Sequence, residues 1–366
     1  MRLLLGAAAL ALAAPAAFAQ SSVTVYGIVD IGGQYLSGYQ KDVLLTPGGL
    51  QGSRIGFKGT EDLGSGLYAD FVLEGGLNID TGGSAQGGSL FGRQAYLDVR
   101  YGSVGTLSAG RQYGSVYTVT SDFSIFSNTS AGGPTTATIG GFADGYEPVR
   151  GASATGTPPA SGASANGGPA RINNSVRFTT ASFGGFKASI LAGAGEVQGD
   201  TFGNRILDYS ARYTNGPFDA MVSYIDDKAQ KGGAETHVGT ATIGASYSLD
   251  AFRVMGGYLS VDDKRVEDLD GHGWWVGGDY TLGLHVIKAQ FLQNKAKQGE
   301  DNRTNAYGVG YQYNFSKRTA LYSSLTFFDN GTGTGEGRFN AAVPKGLTTT
   351  ADNDITEFML GVRHAF

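Results

Sequence analysis

The stretch "SRIGFKGTEDLGSGLYADFVLEGGL" runs from Ser53 to Leu77. It holds two strands and the turn that joins them. On the first, Ile55 and Phe57 share one side, while Arg54, Gly56, Lys58 and Thr60 share the other. On the second, Leu67, Ala69, Phe71, Leu73 and Leu77 oppose Tyr68, Asp70, Val72, Glu74 and Gly76. A period of two puts alternate side chains on opposite faces of a strand, one apolar and one polar. Glu61 to Gly66 ends the first strand in a short Asp- and Gly-containing turn, which reads as an antiparallel hairpin.

The same alternation recurs along the chain. Val23, Val25, Val29 and Ile31 oppose Thr24, Tyr26, Ile28 and Asp30; Phe218, Ala220, Val222 and Tyr224 oppose Asp219, Met221 and Ser223. No helical periodicity lasts three turns. The connections alternate in length. Short ones fall near Thr60–Gly66, Arg100–Val104, Thr179–Gly185, Thr214–Pro217, Ser248–Asp250, Thr281–Gly283 and Asn314–Arg318. Long ones fall near Leu36–Leu50, Asn78–Ser89, Tyr113–Ala170, Gly195–Arg205, Asp226–Thr236, Val261–His272, Lys295–Arg303 and Asp329–Asn353. Seven short and eight long connections join sixteen strands.

A β-sandwich has no reason to keep all its short turns at one end, whereas a transmembrane β-barrel does. Backbone groups in lipid must be paired, so the first strand is expected to close on the sixteenth. The predicted fold is an all-β transmembrane antiparallel barrel with the polar face lining a watery lumen. Asp30, Arg54, Lys58, Asp70 and Glu74 then point inward. An arginine on the lipid side near the midplane costs ~2–4 kcal/mol, so the inward placement of Arg54 is the cheap one. The last strand sets Phe358, Leu360, Val362 and Phe366 on one face. A terminal aromatic on the lipid side reads as an outer-membrane assembly signal.

Composition agrees. Arg2, the apolar run Leu3–Ala14 and Ala17-Phe18-Ala19 form an export signal, so residues 1–19 are expected to be removed and 20–366 to form one barrel domain. No later segment approaches the ~20 apolar residues of a transmembrane helix. The chain has no cysteine, which removes disulfides and thiol chemistry. Its 60 glycines suit bends and close strand packing. A formal charge of −5 argues against nucleic acid as a partner. No phosphate-binding loop, zinc-protease or nucleophile-elbow motif occurs, and the four histidines are scattered, so neither an enzyme nor a cofactor or metal site is expected. The acidic pairs Asp226-Asp227 and Asp262-Asp263, and Asp352 with Asp354, read as solvated loop tips.

Four stretches carry a family resemblance: "SSVTVYGIVDIGGQY" (Ser21–Tyr35), "SRIGFKGTEDLGSGL" (Ser53–Leu67), "FGRQAYLDVRYGSVGTLSAGRQYG" (Phe91–Gly114) and the terminal "GVRHAF" (Gly361–Phe366). Together they resemble the general porins of Gram-negative outer membranes over essentially the whole mature chain. The resemblance implies a sixteen-stranded outer-membrane barrel, usually a homotrimer, whose long third loop folds into the lumen and sets acids against arginines on the wall. It implies as partners outer-membrane lipid and lipopolysaccharide, the assembly machinery acting on the C-terminal strand, and small hydrophilic solutes and ions that cross passively.

Carried over by the resemblance, the basic constriction wall is Arg54, Arg93 and Arg171. Alternation supports Arg54 and Arg171, the latter in step with Arg177. Arg93 is in step with Ala95, Leu97 and Val99, so it needs a bulge or a strand that starts just after it. Arg111 in "AGRQYG" matches a family position but is in step with Leu107 and Ala109. The third loop departs from the family pattern, and its acids are Asp122, Asp144 and Glu147. The predicted function is passive diffusion with a modest anion preference. Two alternatives stand beside it. One is a substrate-selective channel with a saturable solute site, for which Tyr26, Tyr68 and Trp275 have inward parity; the other is an adhesin or soluble exported β-protein.

Overall fold

The computed structural model describes residues 22–37, 42–127, 167–168, 170–195, 205–231, 234–263, 270–297, 303–331 and 354–366. They form one closed sheet of sixteen antiparallel barrel strands. The first four are β1 (Ser22–Ser37), β2 in two pieces (Asp42–Pro47 and Arg54–Gly64), β3 (Leu67–Asn78) and β4 (Gln94–Tyr101). β5 (Gly105–Tyr113) leads into the helix α1 (Ser115–Asp122), and the wall resumes with β6 (Arg171–Thr180). Then follow β7 (Phe186–Gly193), β8 (Ile206–Asn215), β9 (Phe218–Lys231), β10 (Ala234–Leu249) and β11 (Phe252–Asp263). The last are β12 (Gly271–Leu282), β13 (His285–Ala296), β14 (Arg303–Asn314), β15 (Thr319–Asn330) and β16 (Ile355–Ala365).

The barrel closes where β1 pairs with β16, from Ile28 opposite Ala365 to Ser37 opposite Thr356. Beyond that ladder Gly27 and Phe366 exchange both backbone hydrogen bonds at 3.1 Å. The Phe366 ring lies against Gly27, where a Cβ would come within 2.4 Å of Cζ and 2.7 Å of the Arg54 carbonyl oxygen. Seven turns at the end that holds Phe366 are short. Several are two residues long, and Ser65, Asp250, Gly216 and Gly283 adopt positive φ there.

One face carries exposed apolar side chains, including Val23, Val25, Leu97, Leu107, Val176 and Phe178. Register places Arg54 opposite Ile28, Glu74 opposite Gly56 and Gln94, and Lys58 opposite Thr24, all on the other, inner face. Three features differ from the sequence reading. The connection expected over Leu36–Leu50 is largely a hairpin, because Asp42–Pro47 pairs with Ile31–Leu36 before the chain bends away. The inner face is not polar throughout: Leu36, Ile206, Ile225, Leu259, Trp275, Leu292 and Phe328 form a buried cluster with Val116, Val119 and Phe123. Ile172, which simple alternation sends toward lipid, also joins that cluster. A bulge at Asn174, with φ +49°, shifts the register and brings Ile172 opposite Gln112.

Candidate functional site

The inner wall of β1–β6 is built around one carboxylate. Glu74 accepts from Arg93 Nε at 2.7 Å, from the Tyr26 hydroxyl at 3.0 Å and from the Tyr113 hydroxyl at 3.1 Å. Arg93 reaches it because β4 begins at Gln94; the residue before the strand escapes the alternation that would have turned it outward. The Arg93 and Arg171 guanidinium groups lie 5.8 and 5.4 Å from the Tyr113 ring centre, and Arg171 is 5.1 Å from that of Tyr117. The two tyrosines stack at 4.5 Å. Both guanidinium groups thus lie over aromatic faces, which attract positive charge, and Arg93 is also paired with Glu74. Arg54 is half-buried on the same face and has no ion-pair partner among the described residues.

Between the two pieces of β2 the chain bends inward at 48–53. Asp30, fully buried, organises the bend. Its carboxylate accepts the backbone N–H groups of Gly49, Leu50 and Gln51 at 3.2, 2.9 and 2.6 Å and the Tyr322 hydroxyl at 2.7 Å. Asp30 therefore lies on the inner face but holds backbone instead of meeting the channel. Gly48 turns at φ +76°, and a Cβ on Gly49 would stand 2.1 Å from the Tyr322 oxygen. Bend and wall meet so closely that glycine is required there.

The chain leaving β5 is pinned to strands far around the wall. α1 is short and rich in β-branched residues, so its stability comes from packing more than propensity. Val116, Val119 and Phe123 form its apolar stripe and enter the inner cluster. Asp208 on β8 accepts the Ser115 backbone N–H at 2.7 Å and also the Ser115 hydroxyl, placing negative charge at the helix start. Trp275 donates Nε1–H to the Phe123 carbonyl at 2.7 Å. The Gln290 side-chain oxygen accepts from Ser124 Oγ and Ile125 N at 2.8 and 2.9 Å.

The remaining candidates fall as follows. Asp122 accepts from Arg212 Nη1 at 2.7 Å, so it faces β8 and not the Arg54 wall. Asp144 and Glu147 lie outside the described residues. Arg177 donates to the Tyr113 carbonyl and sits 4.0 Å from Asp208. Arg111 stays opposite Ala95 and donates to the Gly92 carbonyl at 2.8 Å and to Asn173, on the side of Leu107 and Ala109. Lys58 stands over the Tyr26 ring at 5.3 Å. Asp70 is shared by Arg100 Nε at 3.1 Å and Thr60 Oγ1 at 2.7 Å. The aromatic candidates are structural: Tyr26 binds Glu74, Tyr68 lies under Arg100 at 4.3 Å, and Trp275 is buried against α1. Asp226 is no free loop tip but pairs with Arg205 at 3.5 Å and His237 at 3.1 Å. Sequence reasoning missed Tyr113 and Tyr117, whose spacing of four places them together only once α1 follows the strand. It also missed the inward cations Arg212, Arg253, Lys288 and Arg363 on the later strands, although each shows the alternation that marked Arg54.

A closed antiparallel barrel with an apolar outer face and charged side chains inside has the build of an outer-membrane channel. The Gram-negative porin family profile matches residues 6–333. Outer membrane porin protein 32 of Delftia acidovorans is 31% identical over 367 residues, covering 97% of each chain. An outer membrane porin protein of Bordetella pertussis is 29% identical over 392 residues, covering 89% of this chain and 94% of its own. Among solved structures, the anion-selective porin from Comamonas acidovorans superposes with a TM-score of 0.79 at 28% identity, covering 95% of this chain and all of the other. OmpT of Vibrio cholerae in its trimer form gives 0.63 at 15% identity, covering 94% of this chain and 99% of its own, a likeness of fold alone. The chain belongs to the Gram-negative porin family and forms an outer-membrane channel for passive diffusion.

Proposed function

We propose that this porin passes small hydrophilic solutes and ions with a modest preference for anions, and that Arg54, Arg93 and Arg171 form the basic side of its narrowest point. The observation that carries the reading is the half-buried Arg54, which makes no ion pair at contact distance among the described residues, beside two arginines held on tyrosine rings. Clustered guanidinium groups on a pore wall lower the energy of an anion in transit and raise that of a cation. The contacts of 115–125 with β8, β12 and β13 support a third loop that runs inward and narrows the lumen opposite this wall. Arg177 and Lys58 add positive charge away from the centre, and Asp70 and Glu74 temper it.

The anion selectivity of the Comamonas acidovorans porin supports the same sign here. We place residues 1–19 as a cleaved export signal, Phe366 as the residue the assembly machinery reads, and the working particle as a homotrimer in lipid and lipopolysaccharide. Reversal potentials in planar bilayers under a potassium chloride gradient test the selectivity. Chloride is expected to outrun potassium; a clear potassium preference defeats the reading.

A further inference from the structure

A second group of inward cations begins across β1 from Arg54, with Arg363 opposite Asp30 where Arg54 is opposite Ile28, and runs on around the wall. Arg253 on β11, Lys288 on β13 and Arg363 on β16 face one cavity of about 270 Å³, bounded also by Gln51 of the bend, by Asp122 and by Gln312. Part of this charge is already matched. Arg253 donates Nε and Nη2 to Asp279 at 3.0 and 2.5 Å, and Asp122 is taken by Arg212, which Asp219 also binds. Lys288 and Arg363 have no acidic partner within ion-pair distance among the described residues. The Lys288 ammonium sits 5.8 Å from the Phe126 ring, and Arg363 spends Nε on the neutral Gln51 side-chain oxygen at 2.5 Å.

We propose that this cavity is a resting site for a small doubly charged oxyanion, with inorganic phosphate as its simplest occupant. The inference rests on the anion-preferring reading above. Lys288 and Arg363 offer two cationic donors without contact acids, which an anion with several oxygens engages at once and a single chloride cannot; with Arg212 shared by Asp122 and Asp219 the group as a whole keeps one net positive charge. The guanidinium of Arg363 keeps both Nη groups for a planar two-point grip on oxygen, and Lys288 supplies a point charge. The Gln51 side-chain oxygen is used by Arg363, which leaves its amide nitrogen to donate. The volume is several times the ~30 Å³ share of one water, enough for a tetrahedral oxyanion that keeps part of its hydration. Ser124 and Gln312 keep the lining polar.

The test is single-channel recording in potassium chloride with inorganic phosphate titrated near neutral pH, where a substantial share of it carries two charges. Phosphate is expected to reduce the chloride current saturably. Lys288→Met and Arg363→Gln should each raise the half-blocking concentration roughly tenfold, the loss of one charge-assisted hydrogen bond. Both should weaken chloride preference without reversing it, because the Arg54 wall is intact. Arg171→Gln should lower chloride preference and leave the phosphate block in place. If Arg363→Gln does not assemble, Lys288→Met alone carries the comparison. An anion-preferring wild type with no saturable block, or a block that survives in the variants, overturns this site alone. A cation-preferring wild type overturns the selectivity reading beneath it.

Discussion

At the scale of the residue, the basic wall depends on Glu74. One carboxylate binds Arg93 and two tyrosine hydroxyls; Tyr113 in turn lies under Arg93 and Arg171, and Tyr26 under Lys58. Removing its charge while keeping its shape, Glu74→Gln, leaves the arginines less compensated. A charge in the pore wall at a permittivity between water and protein is worth on the order of 1 kcal/mol to a passing ion, so relative anion permeability should rise roughly fivefold. The reversal potential under a salt gradient reads this directly, and an unchanged or lowered preference would place Glu74 outside the ion's field. Arg54 was legible from alternation alone, since its neighbours Ile55 and Phe57 leave it one face. Arg93 was not, because alternation holds only inside a strand and Arg93 lies one residue before one. Ile172 misled for the related reason that the positive φ of Asn174 resets the alternation midway along β6, which also removes the step from Arg177 that had marked Arg171; Arg171 is placed by Tyr113 and Tyr117 instead.

At the scale of the element, α1 is held by partners that no local pattern pairs. Ser115 and Asp208 are far apart in the chain, and nothing beside either suggests the contact. Asp208→Ala removes both bonds to Ser115 and a charge at the helix start, a loss of about 1–3 kcal/mol in holding the helix. The expected outcome is larger and noisier single-channel conductance with an unchanged barrel, seen as normal heat-modifiable mobility on gels. Strand closure yields a second prediction. Gly27→Val sets a branched side chain against both the Phe366 ring and the Arg54 carbonyl, where even a Cβ lacks space. The folded fraction recovered from membranes should fall severalfold on the same gels, since overpacking costs roughly 1–3 kcal/mol. The strands themselves were legible from their period, and the short turns from their Gly, Asn and Asp content. The bend at 48–53 was hidden because "GGLQGS" reads as ordinary loop, and only the buried carboxylate of Asp30 turns it inward.

At the scale of the whole molecule, the charges act through water and are open to screening. Raising the mean salt from about 0.1 M to about 1 M shortens the screening length from ~10 to ~3 Å. Anion preference measured at a fixed salt ratio should therefore decline toward that of free ions as the mean concentration rises. A preference that persists undiminished would point to contact with the ion instead of a field across the lumen. The architecture was the most legible level of all, because alternating loop lengths and a charged strand face exclude other β folds. The fine shape of the lumen was the least, since it is written in contacts between residues of distant strands.

One such contact has a bearing on assembly. The Asp30 carboxylate belongs to β1, the backbone it grips belongs to the break in β2, and the hydroxyl that steadies it belongs to Tyr322 of β15, whose neighbour β16 supplies the last ladder to β1. The inward bend therefore has its full set of partners only when the first and last strands have met. Insertion and shaping of the passage are then not successive tasks. A barrel still open along that line lacks the grip that sets its bore, and the final zipping of the wall gives the membrane a sieve instead of a hole.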